Sequence, residues 1–374
     1  MKKIGVFTIH GAYNYGAMLQ AYATIKKLEQ LGFDAEVYNF LSREYELARE
    51  NRALPKSLKE LFNFFYCRVD RKIKLRYSRF KSFHDEMKLS TRVFSLDDVY
   101  SNPPKYDVNI VGSDQVWNLQ KGFKDKNFYF LDFLKPESLK MSYASSFGTS
   151  TIENRYNDKL KKLLTSFHAL SVREDDGVEI IKKGTGLDAQ QVLDPTFLLS
   201  DSEWNAVAGE EDLIEEPYIL YYGFSKDKKI EDIVNAFSKK LNLPVIAVSP
   251  GIHFPFKVKR VYKEAGPKEF INLVRQANLV LTGSFHGLAF AINYAKDFYL
   301  IEDSKRNSRM LSALRLFRLE NRVVLSASEV ANLKQEDMTI DYNITGVLLA
   351  EKRLESINWL NTSVLSLLNA KVAL

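Results

Sequence analysis

Four segments carry the side chains best suited to chemistry. In LVLTGSFHGLAF (Leu279–Phe290) an apolar run ends in Thr-Gly-Ser and an apolar helix begins. Gly283 or Ser284 can cap that helix, and Phe285, His286 and Gly287 fall in its first turn. Unpaired N–H groups and the positive end of the helix dipole make such a start an anion cradle, here with an acid/base group inside it. Of the five histidines, His10, His84, His168, His253 and His286, the last has the most catalytic setting. A histidine held there for structure alone is the competing reading. In LSVREDDG (Leu170–Gly177), Arg173 leaves the end of an apolar run. A fixed guanidinium can grip a carboxylate or phosphate through two N–H groups, unless it pairs with Glu174 or Asp175. In IVGSDQVWN (Ile110–Asn118), Gly112 permits a sharp turn that delivers Ser113 and Asp114. Asp114 can take a proton from a hydroxyl as general base, and Trp117 can stack on a sugar ring. Asp114 as a helix N-cap and Trp117 as core is the stronger reading on physics alone. In TIHGAYNYGAMLQ (Thr8–Gln20) a strand enters a loop with Gly11, Asn14 and Gly16, and a helix follows. Asn14 caps the helix or touches a hydroxyl; Asn14, Tyr15, Gly16 and Gln20 are candidate binding residues of this edge.

Regular elements must hold these segments in place. Apolar runs at Ile4–Ile9, Ala35–Phe40, Val108–Gly112, Met141–Ser145, Ala169–Val172 and Val192–Leu199 read as strands, with Ala17–Leu31 a helix ending at Gly32. Continuous apolar strands between helices favour a parallel sheet. Ser200–Pro217 holds seven acidic residues and reads as a surface connector. The alternation then restarts, with strands at Tyr218–Tyr222, Val245–Val248, Leu279–Thr282, Phe298–Ile301 and Arg322–Leu325. Helices are expected at Ile230–Leu241, Pro267–Ala277, Met310–Leu316 and Thr345–Ala370. The expectation is an α/β chain of two Rossmann-like domains, 1–205 on the acceptor side and 206–344 on the donor side. A helix within 345–374 crosses back to the first domain. Ligands of open parallel sheets bind beyond the carboxyl ends of the strands. The segments around Asn14 and His286 would then face each other across a cleft, one for a donor and one for an acceptor, as in a transferase.

Composition narrows the classes. Hydrophobic residues make up 45% and charged residues 27%, which excludes a disordered or fibrous chain. The single cysteine, Cys67, can form neither an internal disulfide nor a cysteine-rich zinc site, so a reducing compartment is expected. No clustered metal motif stands out, and no cofactor is called for. The net charge of +6 is interspersed, which speaks against nucleic acid and suits a small anion. The start is not a signal peptide and no run of 18 apolar residues exists, so a cytoplasmic location is expected. An insert at 55–92 reads as helical, with Leu58, Leu61, Phe62, Phe65 and Val69 at helical spacing. Between Arg68 and Lys81 it carries seven basic residues against one Asp. It is either a surface hairpin or a peripheral contact with an anionic membrane at its inner face.

At the four segments the chain resembles the polysaccharide pyruvyl transferase family. The carriers are NYGAMLQAYA (Asn14–Ala23), GSDQVWN (Gly112–Asn118), SYASSFG (Ser142–Gly148), SVRE (Ser171–Glu174), DPTFLL (Asp194–Leu199), TGSFHG (Thr282–Gly287) and the stretch from Arg309 to Arg322 ending in LENR. They stand in the family's order over roughly residues 4–325. The resemblance implies a GT-B-like pair of domains. It implies transfer of a pyruvyl group from phosphoenolpyruvate to two hydroxyls of a sugar, as a cyclic ketal, in polysaccharide biosynthesis. The family's donor-site arginine and histidine would match Arg173 and His286, and Arg309 joins the binding residues. The acceptor sugar is left open, a lipid-diphosphate-linked one included. A glycosyltransferase using a nucleotide sugar, with Glu302 and Asp303 stretched to hold a ribose, remains an alternative. So do a non-catalytic carbohydrate-binding protein and a family member that uses another anionic donor.

Overall fold

The computed structural model describes residues 2–40, 69–91, 95–119, 127–209, 211–223, 225, 227–248, 257–301 and 308–370. The expectations at 55–68, including Cys67, and at Glu302 and Asp303 lie outside these residues. Two parallel sheets organise the chain. The first has the order β2-β1-β3-β4, from Asp34–Val37, Lys3–Phe7, Val108–Val111 and Lys140–Ser142. Short bridges from Met141 to Ala169 and from Ser145 to Val172 join it to the pair β5 (Ser171–Val172) and β6 (Gln190–Gln191). The second sheet has the order β11-β10-β7-β8-β9, from Phe298–Leu300, Leu279–Thr282, Ile219–Tyr222, Val245–Val248 and Arg260–Val261. All neighbours are parallel, and β1, β3, β7, β8 and β10 are almost entirely buried, as their unbroken apolar sequences require.

Helices cover the sheets: α1 (Tyr15–Gln30), α2 (Arg71–Asp85), α3 (Leu96–Ser101), α4 (Asn157–Leu164), α5 (Asp175–Thr185), α6 (Asp201–Ala208), α7 (Lys228–Leu241), α8 (Pro267–Gln276), α9 (Phe285–Asn293), α10 (Ser308–Leu316), α11 (Ala327–Asn332) and α12 (Tyr342–Ala370). Three expectations need correction. Val192–Leu199 is not a strand. The Asp194 carboxylate accepts from the Thr196 N–H, Pro195 has no N–H to give a ladder, and the chain enters a 3-10 turn at Pro195–Phe197. Arg322–Leu325 forms no strand beyond a lone bridge of Val323 to Leu300, because a 3-10 turn at Glu320–Arg322 precedes it. The acidic connector begins as α6, started by a reciprocal Ser200–Glu203 cap and anchored by buried Trp204.

The two halves meet through packed side chains. Tyr15 of α1 stacks on Phe270 of α8 at 4.8 Å and donates its hydroxyl to the Ala265 carbonyl at 2.9 Å. The basic helix α2 lies over this seam. Its Ile73, Phe80 and Phe83 are buried, and buried Arg76 sits 5.4 Å from the Tyr15 ring centre. Arg79 pairs with Glu269 at 3.0 Å and donates to the Glu264 carbonyl, while Lys72 reaches Glu264 at 3.5 Å. Helix α12 runs from the second sheet's side to the first. Arg353 donates to the Phe197 carbonyl, Ser356 accepts from the Leu193 N–H, and Trp359 lies 6.3 Å from Tyr143. No described helix is long and apolar enough to cross a membrane.

Candidate functional site

The carboxyl ends of β10 and β1 bring the two halves together at one point. Thr282, the last residue of β10, donates its hydroxyl to the Tyr222 carbonyl and accepts from the Ser284 N–H. That fixes the turn through Gly283 into α9. Ser284 stands at the helix start, but its side chain makes no cap, so the first N–H groups of α9 lack that partner. Gly287 allows the helix to lie close: a Cβ there would sit 2.3 Å from the Thr282 hydroxyl. His286 is 7% exposed, and its ring rests on the first turn of α1. A Cβ on Gly16 would lie 1.9 Å from His286 Nδ1. Gly16 is thus the floor under the histidine.

Arg173 arrives from the end of β5. Its Nε donates to Glu174 at 2.8 Å, its Nη1 donates to Asp194 at 2.9 Å, and its guanidinium lies 4.1 Å from the centre of the Phe285 ring. Both ion pairs are buried, so the competing reading of Arg173 holds for Glu174 but not for Asp175, which pairs with Arg315. Among the described residues Nη2 lacks a hydrogen-bond partner, which leaves its N–H groups for a ligand while Nε and Nη1 are engaged with protein carboxylates. Burial alone would weaken the guanidinium's hold on its proton. The carboxylates of Glu174, Asp194 and Asp114 outweigh it and raise its pKa. Arg309, on α10, is different. Burial, reinforced by the like charge of Arg173, lowers its pKa, with Glu174 and Asp114 opposing. Gln115, in the amide orientation its neighbours dictate, accepts from Arg309 Nη1 at 2.8 Å, and Arg309 Nε has no partner.

Asp194 opens the DPTFLL segment but was not among the candidate site residues. Its Oδ2 accepts from Arg173 Nη1 and, at 2.8 Å, from Ser113 Oγ, and it lies 3.9 Å from His286 Nε2. Its Oδ1 accepts from the N–H and hydroxyl of Thr196. Burial pushes this carboxyl up, but His286, Arg173 and Thr196 outweigh burial and hold it below the ordinary range. Burial holds His286 below its ordinary value. Arg173 and Arg309 add to that effect, while Asp194 and Asp114 oppose it. Ser146, from SYASSFG, donates to Glu174 at 2.8 Å and completes the network. The signal available in sequence was a carboxylate directly before Pro195, inside the largely apolar run Val192–Leu199.

The remaining candidates divide. Asp114 is half-buried and is no helix cap. It adopts φ 71°, its Oδ1 accepts from the next N–H, and its charge reaches His286, Arg173 and Arg309. Ala144 on the neighbouring strand end also has positive φ, 53°. Trp117 cannot stack on a ligand. It is fully buried against Phe130 and Phe147, with its indole N–H on the Tyr129 carbonyl. Tyr15 is fully buried and its pKa is pushed up to about 12 by burial, so it belongs to the seam rather than to a binding surface. Gln20 is buried and donates to Thr8, Ile9 and Ala17, which makes it a brace for the loop. Asn14 is exposed and caps α1 by accepting from the Ala17 N–H.

Among the described residues no group of three or more histidine, cysteine, aspartate or glutamate side chains is arranged to hold a metal ion. Fold comparison gives distant likenesses. The UDP-GlcNAc 2-epimerase of Methanocaldococcus jannaschii has 11% identity and TM-score 0.49, over 93% of this chain and 98% of that one. The enzyme of that name from Neisseria meningitidis, bound to UDP-GlcNAc, has 11% identity and TM-score 0.48, over 95% and 100%. MurG of Acinetobacter baumannii has 9% identity and TM-score 0.44, over 97% and 99%. No curated protein matches the chain by sequence. The polysaccharide pyruvyl transferase family model matches residues 14–304, a span that holds every motif segment up to TGSFHG; the chain belongs to that family.

Proposed function

We propose that this transferase moves a pyruvyl group from phosphoenolpyruvate to two hydroxyls of one sugar and releases phosphate. The observation that carries this reading is the meeting of three buried polar groups from the two halves. Among the described residues, Arg173 Nη2, Arg309 Nε and His286 Nε2 have no hydrogen-bond partner, the last facing Asp194 only at 3.9 Å. Buried donors without partners are costly, and a carboxylate and phosphate would supply the missing acceptors beside the start of α9. In the reaction, the first sugar hydroxyl adds its oxygen to C2 and C3 gains a proton. The second hydroxyl closes the ketal as the C2–O bond to phosphate breaks, and its proton leaves with the phosphate. His286 gives and takes the proton, a role worth ~10²–10⁴ in rate, and Asp114 is the acceptor-side base.

Of the basic side chains on α2, Arg76, Arg79 and Lys72 are committed to protein contacts, and Arg71 and Lys74 face solvent. A lipid-linked acceptor would bring that face to an anionic membrane. The deciding experiment incubates the full chain with phosphoenolpyruvate and a panel of free, nucleotide-linked and lipid-diphosphate-linked sugars. Phosphate release together with the mass gain of one ketal on an acceptor is expected. Transfer from a nucleotide sugar, with phosphoenolpyruvate inert, would replace this reading by the glycosyltransferase one.

A further inference from the structure

We propose that Asp194 is the positioning residue of this site: one buried carboxylate oxygen holds the guanidinium of Arg173 and faces the imidazole of His286, tying the anion-binding side to the proton-transfer side. The inference deepens the reading above and rests on it for the roles of Arg173 and His286. Its geometry is independent of that reading. Oδ2 is 2.9 Å from Arg173 Nη1, 2.8 Å from Ser113 Oγ and 3.9 Å from His286 Nε2. Oδ1 is occupied by Thr196, so the carboxylate cannot rotate without breaking two hydrogen bonds. Asp194 is 1% exposed, and an unpaired charge there would be expensive. Its position is therefore fixed before any ligand arrives.

The arrangement explains how a buried histidine can gain a proton. His286 packs on α1 and α9, and the charged groups that act on it are Asp194, Asp114, Arg173 and Arg309. Burial and the two arginines favour the neutral ring; the two carboxylates favour the charged one. A multiply charged anion beside Arg173 and Arg309 would offset those arginines and leave Asp194 as the nearest group. The ring then takes up a proton facing Oδ2. At 3.9 Å the pair is not yet hydrogen-bonded, and a small shift of the ring on ligand entry would close it.

The test reads the ring directly, without donor or acceptor. His286 is assigned in labelled full-length protein by its loss in His286→Gln, and its titration is followed by NMR. Asp194→Asn keeps the shape and removes the charge, so the His286 transition should move to lower pH by about one unit. Ser113→Ala keeps the charge but removes one hydrogen bond from Oδ2, so the transition should move to higher pH. The two variants shift it in opposite directions, and Ser113→Ala serves alone if Asp194→Asn does not fold. An unmoved His286 titration in a folded Asp194→Asn, or in Ser113→Ala when that variant stands alone, would reduce Asp194 to a structural brace and overturn the proposal. Failure of the pyruvyl-transfer assay would leave this titration unaffected, so the two readings fail separately.

Discussion

Gly16→Ala is the smallest change that tests whether the two halves meet as described. In an ordinary helix the substitution stabilises by about 0.5–1 kcal/mol, because glycine loses more freedom on folding. Here the new methyl would lie 1.9 Å from His286 Nδ1, 2.2 Å from Cγ and 2.4 Å from Cε1, where ordinary contact begins at 3.4 Å. Ring or helix must give by about 1.5 Å, and overpacking of that kind costs about 1–3 kcal/mol. A misplacement near 1 Å at a catalytic group costs on the order of 100-fold in rate. The assay is a denaturation cycle of wild type, Gly16→Ala, His286→Ala and the double variant, with turnover measured alongside. In the His286→Ala background the clash is gone, so Gly16→Ala should stabilise. The coupling between the two positions should then be on the order of 2–3 kcal/mol, well above the additivity error of independent sites. Equal effects of Gly16→Ala in both backgrounds would mean that α1 and α9 do not meet there.

Three further outcomes are expected. His286→Ala should keep the fold and cut turnover by roughly 100-fold or more, with a smaller loss in phosphoenolpyruvate affinity by calorimetry. Near-wild-type turnover would pass the acid/base role to Asp114. Arg173→Lys and Arg309→Gln should separate stability from binding. The first keeps the charge but cannot donate to Glu174 and Asp194 at once as the fork does, so both stability and phosphoenolpyruvate affinity should fall. The second relieves a cation that burial disfavours, so thermal stability should hold or rise while phosphoenolpyruvate affinity falls; a large drop in melting temperature would refute it. Acid should destabilise the protein in two stages. The folded His286 binds its proton more weakly than the unfolded residue, so its contribution is full above about 6.5 and fades as pH falls below that. Asp194 adds a second loss only below its unfolded value of 3.8, and a denaturation series in which His286→Ala flattened neither stage would refute the first assignment.

Much of the scaffold was legible because apolar runs and helix stops are local signals. Val108–Val111, Ile219–Tyr222, Val245–Val248 and Leu279–Thr282 stand where continuous apolar sequence put them. The errors arose where a buried run is not a strand. Asp194-Pro195 and Arg322 divert the chain by side-chain hydrogen bonds that periodicity does not register. In the site, Trp117, Tyr15 and Gln20 were read by what their side chains can do, whereas burial decides what they do. Tyr15 and Gln20 face the seam and the loop because the first turn of α1 is pinned by Asn14 and by His286. Asp194 was passed over because its importance lies in distances to Arg173, 21 residues away, and to His286 on the other half, and such separations leave no pattern in the chain.

One buried apolar cluster runs from Ile4 and Tyr15 through Tyr222 and Phe270 to Leu360 and Leu368, taking in both sheets and α12. Calorimetry should therefore show one cooperative melting transition rather than two. A continuous core also limits how the molecule can breathe. Packed faces of this kind move by short sliding steps within the reach of rotamer changes, not by a wide hinge. With His286 and Arg173 each less than one tenth exposed, a ligand would reach them through such slides of the packed seam, which includes Tyr15 against Phe270. Turnover would then be gated by the viscosity of the protein's own interior. Enlarging or trimming those two rings would change the overall rate while leaving the bond-forming step untouched.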